Sequence, residues 1–202
     1  MTLWRGKDPL ILASQSRARQ MLLANAGISF ESVPAEIDER AIQQGSDLSA
    51  PGDIAALLAR EKSLFVSARQ SGRYVVGADQ TLALGMQLFS KPADRVQAAE
   101  QLRALAGRSH ELHSAVAVAR DGKILFEKVA VARMTMRRLS ETEIDTYLDE
   151  AGRAVTSSVG AYQLEGLGVH LFEHIEGDHF TILGLPLLPL FAFFRSERLL
   201  GI

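Results

Sequence analysis

Cysteine is absent from the 202 residues of this chain. Disulfide staples and thiolate metal sites are thereby excluded, and a reducing compartment is compatible with the composition. Charge of one sign is not in excess either: 22 Lys and Arg stand against 24 Asp and Glu, a net charge of −2. That balance excludes a general nucleic-acid coat, which needs a large basic surplus. Long hydrophobic runs are missing too. The most apolar stretch, Phe180 to Phe194, is interrupted by Thr181, Gly184, Pro186 and Pro189, and it falls short of the roughly 17–25 residues a membrane span requires. It reads as a buried strand running into a helix. Met1 to Lys7 lacks the make-up of a secretory signal, because the apolar patch that follows, Leu10 to Ala13, is too short for an h-region. A soluble, cytoplasmic protein with no membrane or nucleic-acid partner is expected.

What is present is the material of an ordinary core, with 47% hydrophobic residues, and no linker or repeat divides it. One domain over residues 1–202 is expected. Leu10 to Ala13 reads as a buried strand, followed by a helical stripe through Ala18, Met21, Leu22 and Ala26 that stops at Gly27. Pro51-Gly52-Asp53 opens a second helix with the stripe Ile54, Leu57, Leu58, Phe65 and Ala68. Tyr74 to Ala78 is another buried strand. Asp94 with Gln97 and Ser140 with Glu143 have capping-box spacing. Leu112–Ala119 and Ile124–Met136, joined across Asp121-Gly122, read as a long hairpin. Val169–Ile175 and Phe180–Leu183 read as late strands. Crossover helices together with a hairpin predict an α/β fold with a mixed sheet.

Polar residues of chemical interest cluster at the ends of these elements. Ser14-Gln15-Ser16-Arg17-Ala18-Arg19 lies between a strand and a helix, where unpaired N–H groups, serine hydroxyls and guanidiniums suit a phosphate; a serine cap with solvated arginines is the plainer alternative. Asp79 stands at the carboxyl end of an apolar strand, a place where ligands of open α/β sheets bind, and its carboxylate could hold a divalent cation, take a proton from water or merely form a turn. Lys91 precedes Pro92 and so sits on extended backbone. In the second helix, Glu61 falls at the centre of the stripe and Lys62 at its edge, from which a lysine can reach a cleft. Glu36, Asp38 and Glu39 form an acidic loop. Gly160 to Gly168 holds three glycines around Tyr162 and Glu165. The histidines lack the one-face spacing of a metal site, and His110 and His113 should point to opposite faces of a strand.

In their order, Leu12-Ala13-Ser14-Gln15-Ser16 with Arg19, Ile37-Asp38-Glu39, Glu61-Lys62, Gly77-Ala78-Asp79, Lys91-Pro92, Ser140 to Ile144, Gly160-Ala161-Tyr162, Glu176-Gly177-Asp178 and Gly184 to Leu187 resemble the Maf family of nucleoside triphosphate pyrophosphatases, also described as septum-formation inhibitors, over about residues 9–194. The resemblance implies a mixed twisted sheet with flanking helices, two lobes around a long cleft as in inosine triphosphate pyrophosphatases, and a homodimer. It implies hydrolysis of a nucleoside triphosphate to the monophosphate and pyrophosphate with Mg²⁺ or Mn²⁺. By motif match, Asp79 accepts the proton of water, Glu39 assists at the metal or the water so that Asp79 and Glu39 are the metal ligands, and Ser14, Arg19, Lys62 and Lys91 hold the triphosphate, with Ser16 in the same loop. Gln80 and Glu165 resemble the branch acting on 7-methyl-GTP, where a carboxylate can accept from the N1–H and N2 edge of guanine. Two departures stand out: Ala18 occupies a position that is tryptophan in that branch, which widens the base pocket, and Arg17 replaces a usual proline. A nucleotide-binding regulator of cell division without useful turnover is the competing reading.

Overall fold

The computed structural model describes residues 3–202; Met1 and Thr2, the start of the segment read above for a secretory signal, lie outside the described residues. In chain order the elements are β1 (Leu10–Leu12), α1 (Arg17–Asn25), β2 (Phe30–Ser32), α2 (Glu39–Gln44), α3 (Pro51–Ser67), β3 (Val75–Leu84), β4 (Gln87–Phe89), α4 (Arg95–Leu105), β5 (Ser109–Arg120), β6 (Lys123–Met136), α5 (Glu141–Ala151), β7 (Phe172–Glu176), α6 (His179–Ile182) and α7 (Leu187–Ser196), with short 3-10 turns between α5 and β7. The strands form a mixed sheet in the order β2-β1-β3-β5-β6-β7, and β4 pairs with β3. β1 is parallel to β2 and β3, whereas β4 and β7 are antiparallel to their partners. The α/β mixed sheet expected from the sequence is therefore the fold. Among the described residues no helix is long and apolar enough to cross a membrane.

The chain forms two compact units, the first comprising the residues up to Gln80, Ser114–Ala130 and everything from His179 onward, the second Thr81–His113 and Val131–Asp178. In the first unit, alternation along β1 sends Leu10 and Leu12 to one face of the sheet and Ile11 and Ala13 to the other. Leu10 and Leu12 join Val76, Ala78, Leu185 and Phe194 in the main core. Ile11 and Ala13 pack with Val75 and with Val66 of α3. Both faces are covered, which is why β1 and the start of β3 are continuous apolar runs.

α3 begins with Pro51 in its first turn, a position where the missing N–H costs nothing. Its buried side is built from Ala55, Ala59, Ser63 and Ser67, small residues one turn apart. β3 meets that side with Gly77: a Cβ there would overlap the Ala59 carbonyl and come within 2.7 Å of the Ser63 nitrogen. Helix and strand thus approach to near backbone contact. This reverses the expectation for Glu61 and Lys62. Lys62 is buried beside Ser63, Glu61 is partly exposed, and so are Leu57 and Phe65 of the supposed stripe. Ile54 and Leu58 of the expected stripe are buried, as is Val66, while Leu57 and Phe65 lie at the flank and the small residues meet β3 at Gly77.

Two further expectations are corrected. Phe180–Ile182 lies in α6 and Leu183 in the turn after it, rather than in a strand, and the strand expected from Val169 begins only at Phe172, after a 3-10 turn over Leu167–Leu171. A short apolar run fits either state by periodicity. Here the carbonyls of Thr181 and Ile182 accept from side chains instead of from a neighbouring strand. The acidic loop is likewise part helix, because Asp38 caps α2 by accepting from the Ala41 N–H at 3.0 Å. The expected hairpin is present, with Asp121 and Gly122 at φ 51° and 72°, the left-handed pair that a two-residue turn of this twist requires.

In the second unit the Ser140–Glu143 capping box opens α5, and α4 is tied to α5 by Arg103 with Glu141 and Arg95 with Asp149. These pairs are exposed and each contributes little. In the same unit His110 is 1% exposed, and its Nε2 lies 2.7 Å from the Tyr162 hydroxyl. Its Nδ1 has no partner among the described residues. Burial pulls the imidazole down from 6.5 to about 4. The folded protein therefore keeps His110 neutral while the unfolded chain takes up a proton, so stability is full above pH 6.5 and drains as pH falls toward 4. The loss through this group is about 3 kcal/mol at the acid end. Urea unfolding of wild type and His110→Gln across that range is expected to show a shallower pH slope in the variant; parallel slopes would mean that His110 charges freely in the fold.

Candidate active site

β1 ends at Leu12, and the turn that follows gathers the first polar groups. Ser14 is buried, and its Oγ accepts from the Ser16 N–H at 3.2 Å. Ser16 is the N-cap of α1, accepting from the Arg19 N–H. Ser16 is therefore a cap in this structure, as the plainer reading of the loop allows, while Arg19 is something more. Its side chain turns back across the end of the sheet: Nε donates to the Gly184 carbonyl at 2.7 Å, and Nη1 donates to the Ala78 carbonyl at 2.8 Å and to Ser14 Oγ at 3.3 Å. Three of five guanidinium donors are thus fixed to rigid groups, and Nη2 has no hydrogen bond among the described residues. Burial lowers the Arg19 pKa from its ordinary value, and the negative charges of Asp79 and Glu39 work against that effect. An arginine stays charged even so. Ala18 packs against the main core and offers no polar group.

The close approach of α3 to Gly77 places Lys62 two residues along β3 from the glycine, beside Asp79. Lys62 Nζ donates to Asp79 Oδ1 at 2.6 Å and pairs with Glu39 Oε1 at 2.9 Å. Lys62 and Asp79 are both about nine-tenths buried, whereas Glu39, in the first turn of α2, is half-exposed. Burial raises the Asp79 carboxyl above the ordinary aspartate value, the charges of Lys62 and Arg19 pull it back, and Glu39 adds to the rise. A buried carboxylate beside two cations, with no hydrogen bond to Oδ2 among the described residues, can take a proton from water or bind a metal ion. A divalent cation fits the donor chemistry. Mg²⁺ commonly uses one or two carboxylates and completes its shell with water and phosphate oxygens, and Asp79 and Glu39 converge on a single point now held by Lys62 Nζ. Among the described residues no group of three or more His, Asp or Glu side chains forms a larger metal cage.

Ser14, Arg19, Glu39, Lys62 and Asp79 are thus gathered in the first unit. Gln80 follows Asp79 but faces the other side of the sheet, where its amide nitrogen donates to Ser114 Oγ and to the Thr181 and Ile182 carbonyls. Lys91 and Glu165 belong to the second unit. Lys91 is exposed between β4 and α4, and Glu165 is exposed in the turn before the Leu167–Leu171 segment. Three groups of the first unit escape a sequence reading: the carbonyls of Ala78 and Gly184, which hold Arg19, and Ser114, which holds Gln80. Main-chain acceptors leave no residue-type signal, although Gly184 is marked by its φ of 85°.

The model for the Maf-like proteins matches residues 9–197. The chain belongs to that family. A nucleoside triphosphate pyrophosphatase of Bradyrhizobium diazoefficiens is 70% identical over 202 residues, covering 100% of both chains. A 7-methyl-GTP pyrophosphatase of Rhizobium etli is 52% identical, over 93% of this chain and 95% of that one. Among solved structures, a nucleoside-triphosphatase (dITP/XTP pyrophosphatase) from Mycobacterium abscessus aligns at a TM-score of 0.39 and 18% identity, over 73% of this chain and 97% of that one, a likeness too slight to argue from. Membership in the Maf-like family therefore rests on the sequence match, and the site geometry stands on its own.

Proposed function

We propose that this Maf-like chain cleaves the bond between the α- and β-phosphates of a nucleoside triphosphate at Asp79, with the residues of the first unit as its catalytic machinery. The reaction class follows from the family and from full-length relatives that carry the name: the chain is a nucleoside triphosphate pyrophosphatase, a hydrolase. In the proposed step a water oxygen bonds to the α-phosphorus, its proton passes to Asp79, and the bridging P–O bond breaks to release pyrophosphate. The observation that carries this assignment is the buried Lys62–Asp79 pair at 2.6 Å. A carboxylate raised by burial is a stronger base than a solvated aspartate, and the adjacent lysine can move from carboxylate to phosphate when substrate arrives.

Charge counting supports a metal requirement. Arg19 and Lys62 cancel Asp79 and Glu39, so the cluster is neutral, while a triphosphate brings about four negative charges near neutral pH. Further positive charge must come from elsewhere. Lys91 is assigned to the triphosphate, and Mg²⁺ or Mn²⁺ is assigned to Asp79 and Glu39. When bound, the ion supplies charge neutralisation at the phosphate oxygens. Arg19 presents Nη2 as a fixed donor, and Ser14 stands beside it with its hydroxyl. Ser16 keeps the loop in place as the cap of α1.

For the base, Glu165 is assigned to guanine and the preferred substrate is 7-methyl-GTP, which makes the enzyme a remover of modified nucleotides. Glu165 is an exposed carboxylate that can accept from both N1–H and the N2 amino group, and a 7-methylated ring carries a positive charge that favours it. The Rhizobium etli relative carries the name of that activity. A pyrophosphate-release assay with Mg²⁺ over GTP, 7-methyl-GTP, dTTP, UTP and CTP tests the assignment. Wild type is expected to turn over 7-methyl-GTP fastest. Glu165→Gln is expected to lower kcat/KM for 7-methyl-GTP by about ten- to a hundredfold and for UTP by much less. Equal losses on both substrates would take Glu165 out of base reading.

A further inference from the structure

Gln80 lies next to the proposed general base, yet on the opposite face of the sheet its donors point away from Asp79. The amide nitrogen reaches three acceptors, Ser114 Oγ at 2.8 Å, the Ile182 carbonyl at 3.0 Å and the Thr181 carbonyl at 3.2 Å. Ser114 is fully buried and donates its hydroxyl to the same Thr181 carbonyl at 2.6 Å. Two side chains from neighbouring strands, β3 and β5, therefore grip the main chain of α6. A helix of four residues has no ladder of its own to rely on, so these bonds fix where its end lies. Two residues past that end stands Gly184, whose N–H returns to the Thr181 carbonyl and whose carbonyl receives Arg19 Nε. The fit is close: a Cβ on Gly184 would stand 3.3 Å from Arg19 Nε and Nη2 and 3.6 Å from Gln80 Oε1.

We infer that Gln80 and Ser114 are positioning residues for Arg19, holding the α6–Gly184 turn so that the Gly184 carbonyl fixes the guanidinium with Nη2 directed to the triphosphate. The inference rests on the proposed role of Arg19 in holding phosphate. It differs from a base-reading role for Gln80 in a way that kinetics can separate. A phosphate ligand is shared by every nucleoside triphosphate, so loosening Arg19 must harm all of them alike, whereas a base contact discriminates among them. A fork fixed by rigid partners loses little freedom on binding, and an unfixed one must be ordered by the substrate.

The test uses the full chain with Mg²⁺ and four substrates, UTP, CTP, GTP and 7-methyl-GTP. Gln80→Met removes the donors at similar volume, and Ser114→Ala reaches the same turn from the other strand, so one variant serves if the other fails to fold. Each is expected to raise KM about tenfold by the same factor on all four substrates, with kcat changed less. In an Arg19→Lys background, which lacks the fork that Gly184 and Ala78 hold, neither substitution is expected to add a further loss. Losses that differ among the bases, or that persist undiminished in the Arg19→Lys background, would overturn the positioning role. If Arg19→Lys alone keeps wild-type KM on every substrate, Arg19 does not hold the triphosphate, and the reading of the site beneath this inference falls with it.

Discussion

Asp79→Asn is expected to lower kcat by about 10²- to 10⁴-fold, the range attributed to a positioned general base. The substitution keeps the shape of the side chain and its place on β3. It removes one buried charge while leaving Lys62 with Glu39 at 2.9 Å, so the lysine is not stranded and the fold should hold. Substrate binding should survive within a few-fold, because the cations proposed to hold the phosphates, Arg19 and Lys62, are unchanged. Pyrophosphate release under saturating nucleotide measures the first effect, and calorimetric titration with the same nucleotide measures the second. Turnover equal to wild type would remove Asp79 from the chemistry. Lost binding with intact turnover at high substrate would limit Asp79 to holding the metal or the substrate, without a part as the base. The strength of the prediction comes from environment. Burial raises the carboxyl, and the charges of Lys62 and Arg19 with the Lys62 hydrogen bond keep it from rising further, so the group is tuned in opposite directions by its surroundings and by the cations proposed to meet the substrate.

Gly77→Ala is expected to be the most damaging single-methyl addition in the first unit. The added carbon meets the Ala59 carbonyl and the Ser63 nitrogen, and these are main-chain atoms of a 17-residue helix that cannot step aside as a flexible side chain would. Overpacking in well-filled cores costs roughly 1–3 kcal/mol, and a clash of backbone against backbone belongs at the upper end. For a chain of this size that corresponds to a fall in melting temperature of about 6–12 °C. The helix must also retreat, which lengthens the Lys62–Asp79 contact, so activity at a temperature where the variant is still folded should drop as well. Thermal unfolding followed by circular dichroism, with turnover measured well below the transition, checks both parts. An unchanged melting temperature would mean that α3 and β3 stand further apart than described here.

The same close approach explains what was and was not legible in the sequence. β1 and the start of β3 could be read from their apolar runs, and the hairpin from Asp121-Gly122, because each of those signals is local. The orientation of α3 is legible only in part. Ile54 and Leu58 of the apolar stripe are buried, but Leu57 and Phe65 draw the stripe's centre toward Glu61, while the close approach is decided by Ala59 and Ser63 against a glycine beyond the helix. The apolar pattern therefore puts Lys62 at an edge, although it is the buried member of the pair. α6 escapes the sequence for a related reason: the carbonyls of Thr181 and Ile182 are held by Gln80 and Ser114, partners that no periodicity within the segment reveals. Of the candidate site, residue types with strong chemistry were visible as scattered motifs, and ordered resemblance joined them. What the sequence withheld was the set of neutral holders, above all the main-chain oxygens of Ala78 and Gly184.

The hydrogen bond from Arg19 to Gly184 joins positions 165 residues apart, and Trp4 is bridged to Leu200 while packing edge-on against Phe194. A ribosome makes the first partner of each pair long before the second. A nascent chain thus carries Arg19 unfastened, and Trp4 unbridged to Leu200, until the segment from Gly184 to Leu200 has been translated. Fragments released before Gly184 is made would carry the early motifs without the main-chain oxygen that holds the Arg19 guanidinium.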